Sequence, residues 1–152
     1  MTRRLNVRLA CSNDIESLVD LDAIAHREPK RRAFIAQAVT ASQCWVAVEA
    51  HDAASLLGYG VVDFSFFGQA FIPLIMVRDS QRRSGVGSAI LRALEFQCGA
   101  VKLFTSTNAS NEPMQKLLGK LGYIQSGYVE NLDDGDPELI FVKRQPARPA
   151  AR

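Results

Sequence analysis

The sequence has few cysteines and no cysteine motif. Its 152 residues include three, Cys11, Cys44 and Cys98, which are widely separated and form no C-x-x-C pair. This pattern excludes a disulfide framework and predicts a reducing, cytoplasmic setting with all three thiols buried as small apolar side chains. His26 and His51 share no metal-ligand spacing with a cysteine or carboxylate, so we expect no metal.

Charge of one sign and long apolar runs are also scarce. Lys and Arg number 18 against 16 Asp and Glu, and this net charge of +2 argues against a nucleic-acid partner. The longest uncharged stretch, Ala33–Val48, is interrupted by polar residues and is shorter than the ~18 apolar residues of a membrane-spanning helix. Asn6 and Ser12 likewise interrupt any signal-peptide core, so we expect no membrane partner. Small-molecule chemistry is the favoured class.

Apolar periodicity predicts a mixed α/β domain over residues 1–144, followed by a Pro/Ala/Arg-rich tail, 145–152, that we expect to be disordered. Strands are predicted at Leu5–Leu9, Cys44–Glu49, Leu56–Phe67, Phe71–Val77, Val101–Thr107, Tyr123–Val129 and Leu139–Lys143. The first helix is predicted from an Asn13 cap to about His26, and the second from Pro29 through Val39. A third contains Ile90, Leu91, Leu94 and Phe96, and a fourth extends from a Ser110 cap to a stop at Gly122. Pro73 predicts a bulge or an edge, because proline cannot donate to a strand ladder.

A segment rich in arginine and glycine separates the strand at Phe71–Val77 from the next helix. It reads Arg82-Arg83-Ser84-Gly85-Val86-Gly87-Ser88. Glycines permit a tight turn, and the amide groups at a helix start carry the positive end of the helix dipole and bind phosphate oxygens. The two arginines favour an anion there, although a purely structural strand–helix turn is the alternative.

Two common phosphate motifs do not match this segment. A P-loop requires G-x-x-x-x-G-K-[ST], which does not occur in the sequence. A dinucleotide fingerprint requires Gly or Ala three residues after its second glycine, and Ile90 occupies that place. We therefore expect neither a nucleotide hydrolase nor a dehydrogenase.

The segment resembles the pyrophosphate loop, Q/R-x-x-G-x-G/A, of the Gcn5-related N-acetyltransferase (GNAT) family. A second family pattern, N-x-x-A-x-x-x-Y-x-x-x-G-F, keeps its Asn, Gly and final aromatic residue at Asn111, Gly122 and Tyr123. The resemblance extends over Val7–Lys143 and implies an α/β fold with a mixed, mostly antiparallel twisted sheet. That sheet would have about six to seven strands, flanked by about four helices.

The resemblance also implies roles for individual residues. The backbone amides of Arg83–Ser88, with Arg82 beside them, would hold the pyrophosphate of acetyl-coenzyme A (acetyl-CoA). The main chain of Met76 and Val77 would pair with the pantetheine arm as an added strand does, and Asn111 would lie near the thiol end. The implied reaction is direct attack of a primary amine, on a small molecule or a peptide, with no cysteine intermediate and no metal.

One departure from the family pattern concerns the proton donor. The usual tyrosine, which protonates the leaving thiolate, is replaced by Leu118. Tyr128 or water could take this role, and a thiolate whose thiol has a pKa near ~8.5 can leave without full protonation. Glu49, Asp63 and His26 are alternative general bases, because Phe71–Val77 contains no carboxylate.

The stretch Glu130–Glu138 has five acidic residues and no basic one. Glu130, Asp133 and Asp134 could attract a cationic acceptor amine, although a solvated turn rich in Asp, Gly and Pro is the alternative. Lys30-Arg31-Arg32 could in turn reach a cofactor phosphate, or form a solvated helix face.

Three functional hypotheses follow from these patterns. The leading one is an acyl-CoA-dependent N-acyltransferase that moves acetyl to a primary amine. Leu118 motivates an alternative, a non-catalytic CoA or acyl-CoA sensor on the same fold. A dimeric interaction protein is the third, and because dimers are common in the family, a homodimer is also an open expectation for the enzyme.

Overall fold

The computed structural model describes residues 4–147, which form seven strands and five α-helices. The strands are β1 (Leu5–Leu9), β2 (Cys44–Glu49), β3 (Asp52–Phe66), β4 (Gln69–Val77), β5 (Lys102–Asn108), β6 (Ile124–Val129) and β7 (Glu138–Arg144). The helices are α1 (Ile15–Leu21), α2 (Ala23–Arg27), α3 (Pro29–Thr40), α4 (Val86–Cys98) and α5 (Glu112–Lys120). The predicted bounds of β1 and β2 are confirmed, whereas β3 begins earlier than expected.

The strands form one mixed sheet in the order β1-β2-β3-β4-β5-β7-β6. β1 with β2, β2 with β3, β5 with β7 and β6 with β7 pair antiparallel, and β4 with β5 pairs parallel. This confirms the mixed, mostly antiparallel architecture. The parallel pairing covers Ala70–Ile72 only, and Pro73 follows directly, as expected for a residue that cannot donate to the ladder.

The first predicted helix is wrong in two respects. Asn13 does not cap it: a 3₁₀ turn, Ser12–Asp14, precedes α1, and Asp14 accepts the Cys11 N–H at 2.8 Å. The helix also breaks at Asp22, whose Oδ1 accepts the N–H groups of Ile24 at 2.9 Å and Ala25 at 3.3 Å. Asp22 thus caps a separate helix, α2. This break raises the number of helices from about four to five.

Residues 4–62 and 74–94 form one of two compact units. Its core is made of side chains from α1, α3, β2 and β3, of which Leu18, Ile35, Val46 and Val61 have no exposed surface. Arg8 on β1 forms a bidentate ion pair with Asp14, with nitrogen–oxygen distances of 2.8 and 2.9 Å. Arg8 therefore ties the 3₁₀ turn to the sheet.

Residues 63–73 and 95–147 form the other unit. Glu95 at the end of α4 is buried and accepts hydrogen bonds from the Tyr123 hydroxyl at 3.0 Å and Lys143 Nζ at 3.0 Å. Burial, together with the Glu95 charge, raises the pKa of Tyr123. Gln145, placed in the tail by the sequence, donates its N–H to Val101 O at 2.7 Å, while residues 148–152 of that tail lie outside the described range.

The cysteines differ from expectation in one case. Cys44 is buried, and burial raises the pKa of its thiol to about 12. Cys98 is half-buried, but Cys11 is exposed, so the expectation that all three thiols are buried is wrong. In residues 4–147 no helix is both long and apolar enough to span a membrane.

Candidate active site

The arginine- and glycine-rich segment connects the end of β4 to the start of α4. β4 ends at Val77, a 3₁₀ turn covers Asp79–Gln81, and α4 begins at Val86. The sequence prediction of a strand, a turn and a helix in this order is confirmed. Arg82–Gly85 therefore directly precede this 13-residue helix, and Val86–Ser88 lie in its first turn.

Two left-handed residues shape this turn. Arg83 has φ +63° and Gly85 has φ +85°. A Cβ at Gly85 would meet nothing within 4 Å, so backbone conformation and not space is the reason for glycine there. The Ser84 hydroxyl donates to Gln81 O and holds the turn. Successive amides in such a conformation form a concave group of donors that suits an anion.

The first amides of α4 have no acceptor within the helix. Ala89 N–H donates to Gly85 O at 3.1 Å, so the intrahelical ladder begins at Ala89. The amides of Gly85–Ser88 thus carry the partial positive charge of the helix N-terminus. Together with the left-handed turn, they form a group of donors of the kind that suits phosphate oxygens.

The neighbouring arginines differ in how firmly they are held. Arg78 is half-buried, with its Nε donating to Leu56 O at 3.0 Å and its N–H to Leu57 O at 2.9 Å. Arg82 pairs with Asp79 at 3.0 Å, but its side chain is 64% exposed. An exposed pair of this kind is weak, so Arg82 can exchange Asp79 for a phosphate at little cost.

Glycines on β3 determine how closely α4 packs on the sheet. A Cβ at Gly60 would lie 2.6 Å from Ile90 Cγ2 and 2.9 Å from Leu94 Cδ1, both on α4. A Cβ at Gly58 would lie 2.7 Å from the Met76 carbonyl oxygen. Only glycine fits at either position, and this close approach positions the start of α4 beside the end of β4. Neither glycine was predicted from the sequence to shape the site.

In the other compact unit, Asn111 and not Ser110 caps α5. Asn111 Oδ1 accepts the Met114 N–H at 3.2 Å, which leaves its amide nitrogen to donate elsewhere. Ser110 donates its N–H to Asp136 Oδ1 at 2.9 Å and its hydroxyl to Asp136 Oδ2. The Ser110 cap prediction is therefore wrong, because Asp136 engages that side chain.

The acidic segment is attached to the connection between β5 and α5. Asn108 Nδ2 donates to Asp133 Oδ2 at 2.9 Å, and Ala109 N–H donates to Pro137 O at 2.8 Å. With the Ser110–Asp136 bonds, these contacts bring the acidic segment next to Asn111. All three proposed acceptor-binding residues, Glu130, Asp133 and Asp134, are exposed.

Comparison with known proteins identifies the family. The sequence matches the acetyltransferase (GNAT) family over residues 13–123. The chain belongs to the GNAT acetyltransferases. A GNAT acetyltransferase from Bacillus cereus is 36% identical and superposes with a TM-score of 0.83, covering 94% of this chain and 99% of that one.

Two more distant structures share the fold. Ard1 from Thermoplasma volcanium is 20% identical, with a TM-score of 0.78, over 92% of this chain and 97% of that one. A GNAT acetyltransferase from Streptococcus agalactiae is also 20% identical, with a TM-score of 0.74, over 93% and 96%. No curated protein matches the sequence.

In this GNAT chain, the position of the family's usual tyrosine lies in the core. Leu118 has no exposed surface, so it contributes packing and no proton. Tyr128 lies on β6 opposite Leu139 and is 62% exposed. Tyr123 cannot replace the missing tyrosine, because its buried hydroxyl already donates to Glu95.

The candidate bases lie in different parts of the molecule. Glu49 ends β2 and is half-buried, whereas Asp63 on β3 accepts the Ser65 N–H at 3.0 Å and its hydroxyl at 2.7 Å. His26, near the end of α2, has its Nε2 2.9 Å from the backbone oxygen of Asp20 in α1. Glu49 belongs to the same compact unit as the Arg82–Ser88 loop, and Tyr128 to the other.

The basic residues at the start of α3 are engaged within the first unit. Arg32 forms a bidentate pair with Glu16, with both distances 2.9 Å. Arg31 lies 3.9 Å from Asp22, a fully buried carboxylate that also accepts from the Tyr59 hydroxyl. Burial and that hydrogen bond raise the pKa of Tyr59. Two of the three basic side chains, Arg31 and Arg32, are therefore paired with carboxylates of the same unit.

Proposed function

We propose that this protein transfers the acetyl group of acetyl-CoA to a primary amine by direct attack within a ternary complex. The observation that carries the proposal is the turn at Arg83 and Gly85, which leads into the unpaired amides of α4 immediately after β4. Such a turn fits the two phosphates of a pyrophosphate. Because the chain belongs to the GNAT acetyltransferases, acetyl-CoA is the acetyl donor that we propose.

The donor would bind along β4 and the loop. The amides of Arg83–Ser88 would hold the pyrophosphate, with Arg82 moving from Asp79 to a phosphate oxygen. The main chain of Met76 and Val77, which lies beyond the last residue of β4 paired with β5, would hydrogen-bond the pantetheine arm. Asn111 would use its amide nitrogen near the thioester, while its oxygen caps α5.

The chemistry requires a neutral amine and a route for one proton. The amine nitrogen would attack the thioester carbonyl carbon, the carbon–sulfur bond would break, and the sulfur would leave as thiolate. Glu49, directly or through water, would accept the amine proton, and Tyr128 or water would protonate the thiolate. Asp63, whose Oδ1 accepts from the Ser65 N–H and hydroxyl, is an alternative base.

The acceptor would be a primary amine on a small molecule or a peptide, which arrives as an ammonium ion and gives one proton to solvent before it attacks as the neutral amine. Asp133 and Asp136 are engaged with Asn108 and Ser110, which leaves the charges of Glu130 and Asp134 facing solvent. This negative rim beside Asn111 would attract a cation and repel anionic acceptors. We place the protein in the cytoplasm, with no metal and no nucleic-acid partner.

One observation favours a second function, a non-catalytic sensor of CoA or acyl-CoA. The fully buried Leu118 occupies the place of the family's proton-donating tyrosine. A sensor would bind acetyl-CoA without consuming it.

Thiol release separates the two functions. We expect free CoA to appear when the protein is incubated with acetyl-CoA and a panel of polyamines, amino acids and lysine peptides, fastest with the cationic acceptors. If Tyr128 supplies the proton, Tyr128→Phe should lower kcat about 10²-fold or more with little change in the dissociation constant for acetyl-CoA. Binding of acetyl-CoA without thiol release on any amine would contradict the transferase and support the sensor.

A further inference from the structure

Two buried threonines on β5 differ in what their hydroxyl groups contact. Thr105 is 1% exposed, and its hydroxyl donates to the backbone oxygen of Ile72 on β4 at 2.9 Å. Thr107, two residues later on the same face of the strand, is 7% exposed. Among residues 4–147, its hydroxyl has no hydrogen-bond partner. Because a buried hydroxyl that makes no hydrogen bond destabilises a fold, packing explains a valine at this position better than a threonine.

The Thr107 hydroxyl lies at the small exposed part of the residue. In the part of the chain that the structure describes, no fully buried side-chain nitrogen or oxygen lacks a hydrogen-bond partner. Since the Thr107 oxygen has no such partner, it must belong to the small part of the residue that solvent reaches. The hydroxyl therefore faces outward from an otherwise buried side chain, and it can donate a hydrogen bond to a bound molecule.

Thr107 lies just beyond the end of the parallel ladder between β4 and β5. The register of β5 with β4 ends at Thr105, which is opposite Ile72, whereas its pairing with β7 continues to Asn108. From residue 106 to residue 108, β5 thus has a strand in register on one side only, as far as the described residues show. The backbone and the side chains at this end of β5 are therefore available to a ligand on the unpaired side.

Thr107 is also near two residues that the proposed function assigns to the reacting thioester. Asn111 follows four residues later, after a turn in which its N–H donates to Asn108 O at 3.0 Å. Strand register places Thr107 of β5, Leu139 of β7 and Tyr128 of β6 in one row. Tyr128, the proposed donor of the thiolate proton, thus lies on the same sheet face as Thr107, two strands or about 10 Å away.

We propose that the Thr107 hydroxyl donates a hydrogen bond to the carbonyl oxygen of the bound acetyl thioester and is therefore a catalytic residue. This inference rests on the proposed function, in which no residue so far stabilises that oxygen. When the amine attacks, one electron pair of the carbonyl bond moves to the oxygen, and the hydrogen bond stabilises its negative charge. When the carbon–sulfur bond breaks, the carbonyl bond re-forms and the sulfur leaves as thiolate. Thr107 keeps its own proton throughout.

Calorimetric binding of two ligands tests this hydrogen bond without any turnover. Acetyl-CoA has the carbonyl oxygen, and the thioether S-ethyl-CoA lacks it. We expect Thr107→Val, which has nearly the same shape, to lower the preference for acetyl-CoA over S-ethyl-CoA about 3- to 10-fold, the effect of one neutral hydrogen bond. Thr107→Ser keeps the hydroxyl and should retain the preference. Ser106→Ala, on the opposite sheet face, is the matched control and should bind both ligands as the wild type does.

Turnover provides the second measurement. Thr107→Val should lower kcat about 10²-fold with the Kd for S-ethyl-CoA unchanged, and Thr107→Ser should recover most of the activity. A Thr107→Val protein with the ligand preference or the kcat of the wild type overturns the proposal, as does a Thr107→Ser protein that is equally impaired. A wild type that binds both ligands but releases no CoA contradicts acetyl transfer, while the ligand preference still decides the hydrogen bond. A wild type that binds neither ligand contradicts both.

Discussion

Three carboxylates, Asp14, Asp22 and Asp136, decide local structure through side-chain partners outside their own turn or helix. Asp14 is paired with Arg8 on β1, Asp22 with the Tyr59 hydroxyl 37 residues away, and Asp136 with Ser110, 26 residues away. Each produces a turn or helix end that differs from the sequence prediction. Local preference for a capping residue is worth about 1 kcal/mol, and a long-range hydrogen bond to a charged group is worth as much or more.

Asp14 makes folding stability depend on acid pH. The hydrogen bond from Arg8, followed in importance by those from Cys11, lowers the pKa of Asp14 from 3.8 to about 2 despite its burial. Because the folded pKa is depressed, this stabilisation is complete above about pH 4 and is lost as the pH falls towards 2. We expect Asp14→Asn to lower the free energy of unfolding at pH 7 by about 2 kcal/mol.

Chemical denaturation of both proteins between pH 7 and pH 2 checks this prediction. The difference between wild type and Asp14→Asn should shrink through the acid range. Asp20→Asn, an exposed aspartate on α1, is the control and should leave the profile unchanged. An Asp14→Asn difference that stays constant with pH would show that the carboxylate charge is not the source of the stability.

At the scale of elements, the contact between β3 and α4 positions the proposed cofactor site. Gly60 faces Ile90 and Leu94, both fully buried, and Gly58 faces the backbone of β4 at Met76. Close packing at these glycines fixes where α4 begins relative to β4. The donors of the loop and the main chain of β4 must be held in register for one ligand to contact both.

Two glycine-to-alanine variants should have opposite effects. In Gly60→Ala the new Cβ would lie 2.6 Å from Ile90 Cγ2, and overpacking of this kind costs about 1–3 kcal/mol. Displacement of α4 should also weaken acetyl-CoA binding. Gly119→Ala on α5, where the Cβ meets nothing within 4 Å, should instead stabilise the fold by about 0.5–1 kcal/mol. Urea denaturation of both variants checks the signs, and a Gly60→Ala protein as stable as the wild type would contradict this account of the packing.

Helices and strands could be predicted from the sequence where residues adjacent in the chain determine them. β1, β2 and the start of α3 at Pro29 follow from alternation and from the fixed φ of proline, and the structure confirms them. The turn at Arg82–Ser88 was also predictable, because a left-handed position such as Gly85 favours glycine. The helix ends at Asp22 and Ser110 were not, since tertiary partners determine them.

For the molecule as a whole, the net charge of +2 conceals two opposed regions. Arg82 and Arg83 border the amides of α4, whereas the five acidic residues of Glu130–Glu138 are attached beside Asn111. The proposed anionic donor and cationic acceptor thus each have a matching region. The proton donor could not be predicted from the sequence, because Leu118 replaces the tyrosine of the family pattern, and the structure buries that position.

A thermal shift measures whether acetyl-CoA binds at the Arg82–Ser88 loop. A ligand at 100 times its dissociation constant adds about 2.7 kcal/mol to folding, which corresponds to roughly 5–10 °C in Tm for a domain of this size. We expect this shift for the wild type and for Gly119→Asp, a control on α5. Gly87→Asp, which places bulk and negative charge among the first amides of α4, should fold but show no shift. An equal shift in Gly87→Asp would contradict the placement of the pyrophosphate.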